Sequence, residues 1–200
     1  MSDLRILGGS AKGRALQIPT SARPTPARVR KSLFDILEHS YETGSRLLDL
    51  YAGAGGVGLE AASRGFKVTM IESEARAIET LQRNRSLIKL EASIVKADVR
   101  AWLTRNKQAF EIVFIDPPFD QDILEITREA IRHQATLLAS DGVMIVQHPI
   151  QLRREMQKII LEQRVYGSNV LSFWRSEGSS PADPQPENLQ PENSQPESPT

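Results

Sequence analysis

The sequence of 200 residues contains no cysteine and only three histidines. Because cysteine is absent, disulfides, thiolate nucleophiles and cysteine-based zinc or iron–sulfur sites are excluded. His39, His133 and His148 are scattered, with no spacing suited to a metal ion, so we expect no metal site. No apolar run approaches the roughly 18 residues of a membrane span, and residues 1–8 lack the apolar stretch of a signal peptide. These absences predict a soluble cytoplasmic protein that does not use a membrane.

The sequence also lacks net charge, since 25 Lys and Arg balance 25 Asp and Glu, but the two signs are separated along the chain. Residues 177–200 hold five acids and no Lys or Arg, which leaves 20 acids against 25 bases in residues 1–176. A Gln-Pro-Glu motif recurs every five residues in this acidic end, from Gln185. Such a segment cannot bury enough apolar surface to offset its ordering entropy. We predict that residues 177–200 form a disordered acidic tail.

Strand-like and helix-like segments alternate through residues 46–176. This alternation predicts an α/β fold with a parallel sheet, and the nearly continuous apolar runs agree with strands that are covered on both faces. The predicted strands are residues 46–50, 67–71, 93–96, 110–115, 142–147, 158–163 and 169–174, the last two as an antiparallel hairpin at a sheet edge. The predicted helices are residues 57–64, 75–87, 99–106, 122–138 and 152–158.

The first 45 residues form a basic N-terminal extension, with seven bases and no acid between residues 5 and 31. The Thr-Pro pair at positions 25 and 26 predicts a helix start, with Thr as the N-cap and Pro as the first helical residue. Val29, Leu33, Ile36 and Leu37 then mark one apolar face. We predict that this helix docks by its apolar face and presents three bases to solvent, namely Arg28, Arg30 and Lys31.

A glycine-rich segment, Asp49-Leu-Tyr-Ala-Gly53-Ala-Gly55-Gly56-Val-Gly58, follows a predicted strand and opens a helix. Glycines permit positive φ and let backbone amides approach a ligand closely, a pattern that also fits an NAD site. No Lys-Ser or Lys-Thr pair follows, so a P-loop is excluded. Asp49, at the carboxyl end of its strand, points into the cleft where α/β proteins bind ligands. An acid there favours a cation that carries an amino-acid group, such as S-adenosylmethionine, over a pyrophosphate.

Two further acids stand at the ends of the next strands. Glu72 lies 19 residues after Gly53 and can accept both ribose hydroxyls of a nucleoside, in charged hydrogen bonds of about 1.5–3 kcal/mol each. Asp98, just after the third strand, is placed to meet an adenine amine. The predicted S-adenosylmethionine site therefore comprises Asp49, Tyr51, Gly53, Gly55, Gly58, Glu72 and Asp98.

The tetrapeptide Asp116-Pro117-Pro118-Phe119 ends the fourth strand and opens into the same cleft. Its prolines fix φ near about −65°, so the Asp116 carboxylate and the Pro117 carbonyl form a rigid pair of acceptors. Two acceptors can orient the delocalised lone pair of an exocyclic base amine towards a methyl group. A carboxylate also stabilises the positive charge that grows on the nitrogen, and Phe119 can stack under the base for about 1–3 kcal/mol. We predict that these four residues are catalytic.

In residues 6–14, 23–34, 48–61 and 116–119 the chain resembles the RsmD-type 16S ribosomal RNA (guanine-N2)-methyltransferases. The resemblance implies a class I S-adenosylmethionine-dependent methyltransferase fold over residues 46–176, a Rossmann-like seven-stranded sheet with helices on both faces. It implies methylation of a guanine 2-amino group in 16S ribosomal RNA, within the small ribosomal subunit or an assembly intermediate, and we expect a monomer. The chain departs from the family at Lys31, where Glu is common, and at Gln147-His148-Pro149, where an acid is common after the sixth strand. The resemblance implies RNA contacts by the N-terminal extension, at Arg14, Arg23, Arg28, Arg30 and Lys31.

Three alternatives stay open at the level of sequence. Adenine-N6 and protein-glutamine methyltransferases also use a Pro-Pro-aromatic loop, but they usually begin it with Asn instead of the Asp found at position 116. An NAD-dependent oxidoreductase fits the glycines and Glu72 but leaves Asp49 unexplained. A non-catalytic RNA-binding assembly factor could retain the same fold.

Overall fold

A seven-stranded β-sheet is the framework of the protein, seen in a computed structural model that describes residues 4–18, 24–118 and 121–175. Two short strands of the N-terminal segment pair in a separate small sheet, β1 (Leu4–Arg5) and β2 (Ala15–Leu16). The acidic tail predicted for residues 177–200 lies outside the described residues. The strands of the main sheet are β3 (Arg46–Leu50), β4 (Lys67–Glu72), β5 (Ser93–Lys96), β6 (Phe110–Ile115), β7 (Leu138–Pro149), β8 (Glu162–Tyr166) and β9 (Asn169–Arg175).

Hydrogen bonds arrange the main sheet in the order β5-β4-β3-β6-β7-β9-β8. The strands from β3 to β7 run parallel to one another, whereas β9 runs antiparallel to both β7 and β8. The prediction of a parallel sheet that ends in an antiparallel hairpin at one edge is therefore confirmed.

Helices cover both faces of this sheet, because successive strand residues point to opposite sides. Leu47 packs in one apolar cluster and Leu48 in the other. None of the helices in the described ranges is long and apolar enough to cross a membrane. One face carries α1 (Ala27–Ser40), α2 (Gly58–Ser63) and α3 (Ala75–Ile88). The other face carries α4 (Val99–Leu103), α5 (Ile123–Arg132), α6 (Gln134–Leu137) and α7 (Arg153–Gln157). A 3-10 turn (Ile150–Leu152) precedes α7.

The strand order reverses at β3, and this reversal decides where a ligand can bind. The chain runs outward from β3 to β4 and β5, then returns to place β6 on the other side of β3. In open α/β sheets the crevice lies outside the carboxyl ends of the strands at such a switch point. The fold therefore brings the ends of β3, β4 and β6 together at one crevice.

Several boundaries differ from the predictions. The strand β7 spans Leu138–Pro149 instead of residues 142–147, and α4 ends at Leu103 instead of residue 106. Two further differences have local reasons. The strand predicted at residues 158–163 is wrong, because the amides of Ile159 and Ile160 donate back to the Met156 carbonyl and continue the turn after α7. The strand β8 begins only at Glu162. The helix predicted at residues 122–138 is interrupted at His133, which separates α5 from α6.

The N-terminal segment is fastened to the sheet domain by one buried carboxylate. Glu60, on α2, has 0% of its surface exposed. Its Oε2 atom accepts the backbone amide of Leu7 at 2.6 Å, and its Oε1 atom accepts that of Gly8 at 2.8 Å. The same carboxylate accepts Nε of Arg64 at 2.8 Å and lies 3.5 Å from Nη1 of Arg30. A buried carboxylate is tolerated when it is paired and hydrogen-bonded, as Glu60 is here.

Arg30 is a correction to the sequence analysis, which predicted that it faces solvent and contacts RNA. Only 1% of it is exposed, and its guanidinium donates to the carbonyls of Arg5 and Gly56 besides pairing with Glu60. The reason is helical spacing: residues 30, 33, 34 and 37 lie on one face, and Phe34 is buried there with its neighbours. The buried face of α1 is therefore rotated towards Arg30.

Two buried polar side chains complete the attachment of the N-terminal segment. Ser63 Oγ, at the end of α2, accepts the amide of Ala11 at 2.9 Å. Asn84, on α3, accepts the amide of Gln17 at 2.8 Å and donates Nδ2 to the carbonyls of Gln17 and Ala54, both at 2.9 Å. Ala54 belongs to the glycine-rich turn, so the segment, α3 and the turn are held together. The boundary predicted at residue 45 falls between α1 and β3, and the division into extension and catalytic domain stays a prediction.

We predict that Glu60→Gln lowers the free energy of unfolding by about 3 kcal/mol, because it leaves the buried Arg30 without a compensating charge and leaves Arg64 with Glu38 as its remaining acidic partner. Urea unfolding at pH 7 measures the difference. The matched control is Glu79→Gln, which breaks an exposed pair with Arg83 at the same i, i+4 spacing and should cost about 0.5 kcal/mol or less. Equal losses in the two variants would show that the buried network does not hold the segment.

Candidate functional site

A cavity of about 600 Å³ opens at the carboxyl ends of β3, β4 and β6, within the range of about 300–1,000 Å³ typical of small-molecule sites. Its walls come from the strand ends, the glycine-rich turn and residues 24–26 of the N-terminal segment. In the described part of the chain, its lining includes four acids but no Lys, Arg or His, and no cluster of His, Cys, Asp and Glu could hold a metal ion. The cavity therefore favours a cationic ligand. The four acids are Asp49, Glu72, Glu74 and Asp116.

Asp49 is the most deeply buried acid of the cavity. Its Oδ2 atom accepts the amide of Gly58 at 2.8 Å. Burial raises the pKa of Asp49 to about 8, and the charges of Asp116 and Glu72 add to the effect. A cation in the cavity would favour the ionised form and lower this pKa. Asp49 is thus an acid whose partner is left for a ligand to supply.

The predicted glycines divide into two groups with different roles. Gly53, which has a φ of 54°, lines the cavity together with Tyr51. Gly55 and Gly58 are not among the lining residues. A Cβ atom at Gly55 would overlap Leu81, and one at Gly58 would lie 2.9 Å from Oδ2 of Asp49. These two glycines let the turn pack closely against the domain, and a direct contact from them to a cofactor stays a prediction.

Glu72 closes the turn against the end of β4. Its Oε2 atom accepts the amide of Gly53 at 2.8 Å, and its Oε1 atom accepts the amides of Ser73 and Glu74 at 2.7 and 2.9 Å. A carboxylate offers about four lone-pair positions, and three are taken. Glu72 lines the cavity, and these contacts leave it one position for a ribose hydroxyl. The sequence suggested that it accepts two.

Asp98 lies at the start of α4, where its Oδ1 atom accepts the amide of Ala101 at 2.9 Å as a helix N-cap. The residue is exposed and is not among those that line the cavity. Its charge still acts at this end of the sheet: burial, followed by the charge of Asp98, raises the pKa of Tyr51 to about 12. The predicted contact between Asp98 and an adenine amine stays a prediction.

Asp116 follows β6 and receives two hydrogen bonds on one oxygen. Oδ2 accepts Oγ1 of Thr25 at 3.0 Å and Nε2 of Gln147 at 3.0 Å. Burial raises the pKa of Asp116 to about 7, while these two donors act in the opposite direction. Pro117 and Pro118 line the cavity beside it, and Phe119 lies outside the described residues.

Thr25 and Gln147 were not expected at this site. The prediction of Thr25 as the N-cap of α1 is wrong, because the helix begins at Ala27 without a side-chain cap and the Thr25 hydroxyl is bound to Asp116. Gln147 could have been found from its position, since it directly follows Val146, which pairs with Ile115 of β6 just before Asp116.

The residues predicted to contact RNA have different surroundings. Arg14, Arg28 and Lys31 are exposed, and Lys31 forms an ion pair with Asp35 at 2.6 Å. Arg30 is buried, as described above, and Arg23 lies outside the described residues. The exposed members of the set therefore lie in the segment before β2 and on α1.

Comparison with known proteins gives matches over nearly the whole described chain. The model of the conserved hypothetical protein 95 family matches residues 4–175. YlbH of Bacillus subtilis (strain 168) is 30% identical over 186 residues, which cover 88% of this chain and 100% of YlbH. Ribosomal RNA small subunit methyltransferase D of Escherichia coli (strain K12) is 34% identical over 152 residues, covering 74% of this chain and 76% of that protein. The solved structure of a hypothetical protein of Thermus thermophilus has 37% identity and a TM-score of 0.79, and the match covers 86% of this chain and 98% of that one.

We predict that Asp49→Asn removes part of the pH dependence of stability. The protonated form of Asp49 stabilises the folded protein below its ordinary pKa of 3.8, and this contribution is lost as the pH rises towards about 8. Asn does not titrate but can still accept the Gly58 amide. The free energy of unfolding of the variant, relative to that of the original protein, should therefore increase with rising pH, by more than about 2 kcal/mol at pH 8.

Urea unfolding of both proteins between pH 5 and pH 8 measures this difference. Asp35→Asn is the control, because that acid is exposed and should shift the curve by the same small amount throughout. Parallel curves for the Asp49 variant and the original protein would contradict the burial of an unpaired acid.

Proposed function

The chain belongs to the family of conserved hypothetical protein 95 and ribosomal RNA small subunit methyltransferase D, and we propose that it methylates the 2-amino group of a guanine in 16S ribosomal RNA. Its fold is the class I methyltransferase fold that the sequence predicted, with S-adenosylmethionine as the cofactor. Family and fold support ribosomal RNA methylation as the activity, and the guanine 2-amino group is the finer proposal. The observation that carries it is the Asp116 carboxylate, held at the edge of an acidic cavity.

The acids of the cavity fit S-adenosylmethionine better than a dinucleotide. This cofactor supplies a methyl group on a cationic sulfur and also carries an ammonium group. Asp49 can pair with positive charge at the bottom of the crevice, and Glu72 is placed at the strand end to accept a ribose hydroxyl. The pyrophosphate of NAD would instead meet Asp49, Glu72 and Asp116, so the oxidoreductase alternative is disfavoured by the same electrostatics.

Asp116 provides the chemistry that a base amine requires. Its Oδ2 atom is occupied by two donors, which leaves Oδ1 to accept a hydrogen of the amine and orient the nitrogen lone pair. Transfer of the methyl group would break its bond to the cationic sulfur, which would leave as a neutral thioether, and would place the positive charge on the nitrogen, where the nearby Asp116 carboxylate would stabilise it. With a pKa of about 7, Asp116 can then take the surplus proton near neutral pH.

An Asp at this position favours guanine over the adenine and glutamine alternatives. Guanine presents two neighbouring donors on its pairing edge, the ring N1–H and the 2-amino group. Adenine presents its amine beside an acceptor, N1. An ionised carboxylate only accepts hydrogen bonds, so Asp116 matches the donor edge of guanine and would repel the ring nitrogen of adenine.

The N-terminal segment is suited to deliver RNA to this cavity. It bears the exposed bases Arg14, Arg28 and Lys31, and its residues 24–26 form part of the cavity wall. RNA held by these bases through its phosphates would be close to Asp116, and a target guanine would be flipped into the cavity. We propose 16S ribosomal RNA in the small subunit or an assembly intermediate as the substrate, and a monomer as the active form.

We predict that undermethylated small subunits accept one labelled methyl group per subunit from S-adenosylmethionine, at a guanine that digestion and mass spectrometry identify as 2-methylguanosine. Asp116→Ala should reduce the rate at least about 100-fold, with the affinity for S-adenosylmethionine within about threefold of the original. Asp141→Ala, an exposed acid at the other end of the sheet, is the control. A methylated adenine would refute the guanine assignment, and no transfer to any base would favour the non-catalytic assembly factor.

We predict that Arg14→Glu combined with Arg28→Glu weakens RNA binding and flattens its salt dependence. Each lost phosphate contact should reduce the slope of log K against log salt by about 0.7–0.9. Arg105→Glu, an exposed base before the amino end of β6, is the matched control and should leave the slope unchanged. Unchanged RNA binding in the double variant would show that RNA binds at another surface of the protein.

A further inference from the structure

Asp116 is held by two side chains that come from distant parts of the sequence. Thr25 precedes it by 91 residues and Gln147 follows it by 31, and both donate to the same oxygen, Oδ2. The carboxyl group of Asp rotates easily about its terminal torsion. Two donors on one oxygen fix that rotation and leave the orientation of Oδ1 determined.

Gln147 is poorly explained by stability alone. Only 4% of it is exposed, and within the described ranges its Oε1 atom is buried without a hydrogen-bond partner. A buried polar atom left unpaired costs about 1–3 kcal/mol. Leu or Met at this position of an apolar strand would avoid that cost, so the retained function of the amide is the bond that its Nε2 atom donates to Asp116.

Thr25 is held in place by its neighbours on the N-terminal segment. Pro24 and Pro26 flank it and line the cavity, and proline restricts both its own backbone and that of the residue before it. The segment is further fastened through Glu60 and Asn84. The Thr25 hydroxyl thus reaches Asp116 from the N-terminal segment, just before the start of α1.

We propose that Thr25 and Gln147 are positioning residues that bind Oδ2 of Asp116 and thereby aim Oδ1 at the amine of the target base. This inference rests on the function proposed above and adds two residues to its machinery. It also makes the docked N-terminal segment part of the active site, in addition to its contacts with RNA.

The pair has a second effect, on the ionisation of Asp116. Hydrogen bonds donated to a carboxylate favour its charged form, and both donors lower the pKa of Asp116. Loss of either donor should raise this pKa further above its ordinary value. Since the ionised form accepts the amine, the rate should then rise with pH over a higher range than in the original protein.

The test compares Thr25→Val, which loses only the hydroxyl, with Thr25→Ser, which keeps it, and with Gln147→Leu. We expect kcat to fall about 10- to 100-fold at pH 7 in the Val and Leu variants, with the rising limb of the pH profile displaced upward by about one pH unit. Thr25→Ser should restore the rate and the profile to within about threefold. The dissociation constant for S-adenosylmethionine should change less than about threefold throughout.

Two controls identify a merely structural effect. Thr127→Val removes a buried hydroxyl that bonds to the Ile123 carbonyl in α5, and Gln163→Leu removes an amide that donates to the Arg153 carbonyl. Neither should move the pH profile. The proposal is overturned if Thr25→Val slows the reaction by one constant factor at every pH, if Thr25→Ser fails to restore it, or if Thr127→Val has an equal effect.

A measurement without turnover separates this proposal from the proposed function. The side-chain carboxyl carbon of Asp116, followed by NMR in the free protein and assigned with Asp116→Asn, should titrate about one pH unit higher in the Thr25→Val and Gln147→Leu variants. If the original protein is inactive but the titration of Asp116 is displaced in the variants, the proposed function is refuted. The effect of the two hydrogen bonds on Asp116 then still stands. If the original protein is active, and if the titration of Asp116 and the rates are unchanged in both variants, the proposed function stands. The positioning role of Thr25 and Gln147 is then refuted.

Discussion

The buried carboxylate of Glu60 is the interaction on which the arrangement of the N-terminal half depends. It binds the backbone of residues 7 and 8 and, through Arg30 and Arg64, ties α1 to α2. Arg30 continues the network to the carbonyl of Gly56 in the glycine-rich turn. One charge without contact to solvent thus links the wall of the cavity to the segment that bears the exposed bases, and Ser63 and Asn84 add to this attachment.

Two buried acids in this protein show opposite uses of the same physical cost. Glu60 is surrounded by donors and two guanidinium groups of the protein itself, so its charge is compensated within the fold. Asp49 has a backbone amide and two other acids nearby, and burial raises its pKa to about 8. The first acid stabilises the structure, whereas the second is a place where the structure forgoes stability, as functional sites commonly do. A cationic ligand would compensate the negative charge of Asp49.

The sequence predicted the features that depend on near neighbours or on general rules of α/β sheets. The strands β3, β5 and β6 begin and end at the expected residues, because apolar runs between breakers leave little choice. Asp49, Glu72 and Asp116 line one cavity because each stands at the carboxyl end of a strand next to the switch point. The errors about buried polar side chains concern long-range contacts: Arg30 and Thr25 looked like a surface base and a helix cap because their partners, Glu60 and Asp116, lie 30 and 91 residues away. No local sequence pattern indicates contacts between residues so far apart in the chain.

The contacts of Asp116 also constrain the order in which the protein can become competent during synthesis. The N-terminal segment is synthesised before the groups that fasten it, Glu60 and Asn84. Gln147 belongs to β7, which can pair with β6 only after α5 and α6 have been synthesised. Contacts of such sequence separation form late because loop closure must precede them. The Asp116 carboxylate therefore reaches its final orientation only when almost the entire described chain has been translated, so incomplete chains cannot form a finished site.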